Sequence, residues 1–138
     1  MIFRRLWLSL TFATSVLGNA AVQAAPPVVD IVAMPHPPVR MALQPLRDWL
    51  AQQGGRVKVI ETDVESAVGE KRLASAGLSG HIPVVIFIDG QHRFKRADGT
   101  TVELVNFPNQ PDTPPGARGN WVIPDVQGIL TSRIKSSR

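Results

Sequence analysis

The sequence predicts a single α/β domain. Three observations carry that expectation. Short β-branched runs alternate along the chain with segments of helical period. One run, Val84 to Ile88, is apolar without a break and lies between Gly80 and Asp89-Gly90. The chain has 138 residues, with no internal repeat and no sign of a second domain.

The first residues read as a secretory signal. Arg4 and Arg5 form a positive start, residues 6–17 (LWLSLTFATSVL) an apolar stretch, and Val22-Gln23-Ala24 a small-residue cleavage site. Cleavage is expected after Ala24, which makes residues 25–138 the mature domain. The apolar stretch is short for a membrane span, and an uncleaved anchor is the alternative reading. A cleaved signal implies a periplasmic or secreted protein with no stable membrane insertion.

Val28 to Ala33 (VVDIVA) is β-branched and reads as the first strand. Met34-Pro35-His36-Pro37-Pro38 follows, and three prolines in five residues end a strand and prepare a helix start. Across residues 39–53, Val39, Ala42, Leu43, Leu46, Trp49 and Leu50 recur at helical spacing, and Gly54-Gly55 stops the run. Pro45 inside this helix predicts a kink. Residues 56–61 (RVKVIE) alternate polar with apolar, a second strand. Residues 66–76 carry a weaker helical pattern that Gly77 ends.

The run from Val84 to Ile88 reads as a strand buried on both faces. Pro83 stands at its start, where a missing N–H costs no ladder bond. Asp89-Gly90 signals a hairpin, so residues 91–96 are expected to pair back. Asp98-Gly99 turns again, and residues 101–107 (TVELVNF) alternate as a further strand. Residues 108–120 (PNQPDTPPGARGN) hold four prolines and are expected to form a long structureless loop, functional or mobile. Trp121-Val122-Ile123 re-enters the core, and Pro124 with Asp125 opens a last helix carrying Val126, Ile129, Leu130 and Ile134.

Charge and cysteine content exclude several functions. Without Arg4 and Arg5 the balance is 13 basic against 11 acidic residues, and no Lys/Arg run with interleaved aromatics occurs. Nucleic-acid binding is therefore not expected. The chain contains no cysteine. Disulfides, thiolate catalysis and thiolate metal sites are excluded with it.

The element order, and two stretches in particular, resemble the thioredoxin family. Val29 to Ala33 followed by His36-Pro37-Pro38-Val39-Arg40-Met41 resembles that family's first strand, active-site corner and helix start. Gly77 to Gly90 resembles its loop, cis-proline and central strand. The resemblance implies a thioredoxin-like fold with a central mixed sheet flanked by helices. It implies a cis Ile82–Pro83 bond, and it places Asp30 where the family has a buried acid, here expected to bond locally. It covers residues 28–96 well and the last helix by order only.

The departure from the family decides the functional expectation. Its Cys-x-x-Cys positions read His36-Pro37-Pro38-Val39 here. Exchange needs an attacking and a resolving thiol, so no oxidoreductase activity, and no enzyme, is expected. What the resemblance leaves is a protein- or peptide-binding module whose partner is an envelope protein or peptide. The expected binding surface joins His36, Pro37, Pro38 and Val39 with Gly80, His81, Ile82 and Pro83, and with Trp121 at the end of the loop. No cofactor is required. Copper is the alternative, held by His36 and His81 with Met34 or Met41, because imidazole with thioether suits that metal. The bland readings stay open: His36 as a solvated corner residue, Met41 as core packing, residues 108–120 as a plain insertion. His92, Asp63, Glu65 and Glu70 are expected to be solvated, and Arg93, Lys95 and Arg96 to protect an outer strand.

Overall fold

The computed structural model describes residues 24–138. The expected signal segment therefore lies outside the described residues, Ala24 excepted. Among the described residues, five strands and three α-helices follow in the order β1 (Val28–Ala33), α1 (Pro37–Gln53), β2 (Lys58–Asp63), α2 (Ala67–Ser75), β3 (Val84–Ile88), β4 (Arg93–Lys95), β5 (Thr101–Glu103) and α3 (Ile123–Ser136). The domain is mixed α/β. Among the described residues no helix is long and apolar enough to cross a membrane.

The main sheet is three-stranded and mixed, in the order β2-β1-β3. β1 runs parallel to β2, with Asp30 beside Ile60, and antiparallel to β3, with Ile31 beside Ile86. A helical crossover (α1) makes the parallel pair possible. All five β3 side chains are buried, as an apolar run between turn signals requires. Asp89 (φ 48°) and Gly90 (φ 80°) both take left-handed backbone, the geometry of a type I′ hairpin turn. Asp89 Oδ1 also accepts the Val28 N–H at 2.8 Å and ties the turn to the start of β1.

The second half of the chain departs from the expected hairpin. β5 ends at Glu103 rather than running to residue 107. β4 and β5 form a two-stranded ribbon of their own. The chain then returns to β3: Ile86 N–H donates to Leu104 O at 2.9 Å, and Asn106 N–H to Val84 O at 2.8 Å. The physical reason is that β3 has a second edge, and its buried N–H and C=O groups need partners there too. β2 likewise begins at Lys58 and runs on to Asp63, later than its alternation suggests, because a short 3₁₀ turn occupies residues Gly54–Arg56.

One core unites the elements. Leu43, Leu46 and Leu50 of α1, Leu73 of α2, and Ile123, Val126 and Leu130 of α3 bury with the strands. Pro45 is accommodated inside α1. Ser66 caps α2, its Oγ accepting the Gly69 N–H at 3.1 Å. Asp30 is the buried acid. It accepts a hydrogen bond from Thr62 Oγ1 at 3.1 Å on Oδ1. Arg72 Nη1 of α2 lies 2.8 Å from its Oδ2. The N–H bonds of Arg72 do not point at that oxygen, so the contact is ionic rather than a directed hydrogen bond. Asp30 is thus held locally, between β2 and α2.

A second polar anchor fixes α3. Asp125 Oδ2 accepts the Val122 N–H at 2.9 Å, and Arg96 reaches both carboxylate oxygens at 2.8 Å. Arg96 is therefore a structural partner and not only a solvated edge residue. Its hydrogen bonds hold the Asp125 carboxyl below the usual carboxylate range, against the opposing effect of burial, and the Val122 N–H acts in the same direction as Arg96. A carboxyl depressed on folding contributes stability that is whole above the unfolded-state value and lost as pH falls through the folded one. Asp125→Asn is expected to lower stability near neutrality and to flatten the loss on acidification. Urea unfolding at a series of pH values checks this; an acid limb as steep as that of the wild type would show that Asp125 carries none of it.

Candidate functional site

The corner after β1 is built by prolines and one staple. Met34 N–H donates to Pro83 O at 2.9 Å, joining the end of β1 to the loop that precedes β3. His36 then takes extended backbone (φ −83°, ψ 146°) as the residue before α1. Pro37 and Pro38 occupy the first helical positions, where an N–H would have no partner within the helix. The His36 side chain makes no cap. Its Nε2 instead lies 3.4 Å from Glu65 Oε2, both side chains being about half exposed. Glu65 is therefore a partner of the corner and not only a solvated residue. Asp63 orders that turn by accepting the Glu65 N–H at 2.9 Å.

The expected structureless loop is an ordered strap. Phe107 N–H donates to Ala117 O at 3.2 Å, and Gly119 N–H to Phe107 O at 2.7 Å. Asn109 N–H donates to Trp121 O at 2.7 Å. Arg118 donates to the carbonyls of Thr113 and Pro111, and the buried Thr113 Oγ1 donates to Pro108 O at 3.2 Å. Proline-rich backbone has few donors to close on itself, and Arg118 supplies them from its side chain. A 3₁₀ turn, Pro115–Ala117, lies at the tip.

Trp121 closes the strap from inside. It is fully buried, and its Nε1–H donates to Asn106 O at 3.0 Å. It anchors the end of the loop but has no surface to offer a partner, which corrects its expected place among the binding residues. Asn106 itself takes left-handed backbone (φ 67°), a conformation asparagine tolerates better than most residues.

These parts enclose a cleft of about 460 Å³. Met34, His36, Pro37, Pro38 and Val39 line one side, His81 and Pro83 the second, and Asn106, Phe107, Gly116 and Ala117 the third. The structure thus brings together most of the residues expected at the site. Ile82 is half-buried against the core and does not line the cleft. Met41 is 75 % exposed, so it is not core packing, and it faces a neighbouring groove with Ala42 and Asp112. The Ile82–Pro83 bond is trans, since no described peptide bond is cis. Pro83 nevertheless supplies the carbonyl that holds Met34. Asn106 and Phe107 were not foreseen; the only sequence signal for them is their place next to the proline-rich segment.

Among the described residues no group of three or more His, Cys, Asp or Glu side chains is arranged to hold a metal ion. His92 lies elsewhere, edge-on to Phe87 with ring centroids 5.7 Å apart. It is half-buried rather than solvated, and burial, aided by Arg93, pushes its pKa down. No family model, no curated protein and no solved structure matches the chain.

Two glycines of the strap separate its structural and open sides. A Cβ on Gly119 would lie 2.1 Å from Val105 O and 2.8 Å from Trp121 Cδ1, whereas one on Gly116 would meet nothing. Gly119→Ala is expected to destabilise the fold by about 1–3 kcal/mol, and Gly116→Ala by no more than about 0.5. Urea melts of the two variants check this, and equal midpoints would mean that the strap yields at Gly119.

Proposed function

We propose that this chain is an exported, redox-inactive thioredoxin-like domain that binds an extended segment of an envelope protein or peptide. The β2-β1-β3 order, with β3 antiparallel to β1 and α1 crossing between the parallel strands, supports the fold part of that reading. One observation carries the functional part. Beside the cleft, the backbone N–H and C=O groups of Gly80, His81 and Ile82 make no hydrogen bond within the described chain. An extended segment laid along them gains strand-like hydrogen bonds, and its side chains enter the apolar cleft. No step of this requires a thiol, and His36-Pro37-Pro38-Val39 serves as a wall rather than as a catalyst.

Gly116→Trp tests the reading, because Gly116 lines the cleft at the tip of the strap and a Cβ there meets no other atom, so a large side chain is expected to obstruct the cleft without disturbing the core. An envelope extract passed over the wild-type protein is expected to leave a specific partner that Gly116→Trp does not retain at unchanged melting temperature. Equal retention by both proteins would overturn the proposal.

A second reading rests on a separate observation: Met34, His36 and His81 line the same cleft. Thioether and imidazole together suit copper, and Met41 has no part in such a site. Calorimetric titration with Cu(I) and with Cu(II) separates the readings. A copper site loses affinity in His36→Ala; equal weak binding by wild type and variant removes it.

A further inference from the structure

We infer that the free edge of β2 is the interface of a homodimer, two copies pairing antiparallel about a twofold axis at Ile60. The argument starts from which backbone groups β2 leaves unused. Lys58 N–H donates to Pro27 O and Val64 N–H to Ala33 O, so the even-numbered residues of this stretch turn their backbone toward β1. Backbone direction alternates along a strand, so the odd-numbered residues turn theirs outward. Val57 is extended as well (φ −137°, ψ 135°) and continues the edge. Val57 N–H is taken by Gly54 O, and Asp63 O by Ser66. Among the described residues, Val57 O, both groups of Val59, both groups of Glu61, and Asp63 N–H are left without a partner.

That set is self-complementary in one register. With the axis at Ile60, Val59 exchanges both hydrogen bonds with Glu61 of the second copy, and Asp63 N–H meets Val57 O. The groups already satisfied inside each chain, Val57 N–H and Asp63 O, then face each other and need nothing. Moving the axis to Val59 or to Glu61 leaves outward groups unpaired, and at Glu61 it also sets two carboxylates directly opposite. Charge does not oppose this register: Lys58 stands opposite Thr62 of the second copy and Glu61 opposite Val59, so no like charges face each other, and Glu61 keeps its partner Arg47 in its own chain at 2.6 Å.

The surroundings of the edge agree with an occupant. The strand contains no proline, and its Val59 is 43 % exposed. Beside it, Leu50, Ala51, Val57 and Val59, with the Arg47–Glu61 ion pair at one side, line a groove of about 380 Å³ between α1 and β2. An open edge of this kind invites pairing unless it is covered. The surface is distinct from the cleft between the corner and the strap, so the inference stands whether or not that cleft binds a peptide.

The absence of native cysteine makes the register directly measurable. The protein, expressed from its full-length coding sequence, is expected to sediment as a dimer. Ile60→Cys places two thiols across the axis in a non-hydrogen-bonded pair, where strands approach most closely, and is expected to cross-link under glutathione oxidation. Lys58→Cys, opposite Thr62 of the second copy, is expected not to. Val59→Pro removes an outward N–H that β1 does not use, and is expected to weaken the dimer about tenfold or more. A wild type that stays monomeric at millimolar concentration overturns the inference. So does a dimer that Ile60→Cys fails to cross-link, or one whose affinity Val59→Pro leaves unchanged. If Val59→Pro does not fold, the cross-linking result decides.

Discussion

The two-sided demand of β3 is the constraint on which the other parts depend. Its five side chains are buried, and hydrogen bonds are made along both of its edges. Burial of side chains of this size stabilises by roughly 1.5–3 kcal/mol each. That gain holds only if the backbone polar groups buried with them find partners. β1 supplies one edge. The chain has to come back for the other, and it does so with residues 104–106 after the β4–β5 ribbon. The position of the strap follows from that return, because residue 107 leaves the sheet next to the start of β3 and hence next to the corner after β1.

The cleft is a consequence of this wiring. Met34 and Pro83 are stapled together at the sheet end, α1 starts from the same corner, and Phe107 with the strap tip closes the third side. Each wall is rigid for a separate reason. Prolines hold the corner, the Met34–Pro83 bond holds the loop, and Arg118, Thr113 and the buried Trp121 hold the strap. A preformed cleft binds with less ordering cost than one that must be assembled around its ligand. The Asp30–Arg72 contact and the Arg96–Asp125 pair lie away from it and serve the packing of α2 and α3.

Local chemistry was legible where one residue type decides it. Asp89-Gly90 announced its turn because few other dipeptides tolerate left-handed backbone twice in succession. Pro37 and Pro38 announced the start of α1, and the β-branched run announced β3. Residues 108–120 misled because a proline-rich composition speaks only of what the backbone cannot do. The hydrogen bonds that order this segment come from Arg118 and from distant carbonyls. Trp121 was legible as a residue re-entering the core but not as one wholly withdrawn from the cleft, because an aromatic after a loop can be partly or fully buried, and its full burial with Nε1–H on Asn106 O is a tertiary outcome.

By itself the sequence determined the number and kind of elements, the turns between them, the buried character of β3 and the absence of any thiol. These are properties of short windows or of composition, where period, proline and glycine geometry act without reference to the rest of the chain. Tertiary structure alone decided that residues 104–106 return to β3, that Ile82–Pro83 is trans, that Met41 lines a neighbouring groove and not the cleft, and that the outward groups of β2 form a self-complementary set. Each of these depends on which backbone groups, far apart in sequence, are already satisfied, and a hydrogen bond between distant residues leaves no periodicity for a local pattern to show.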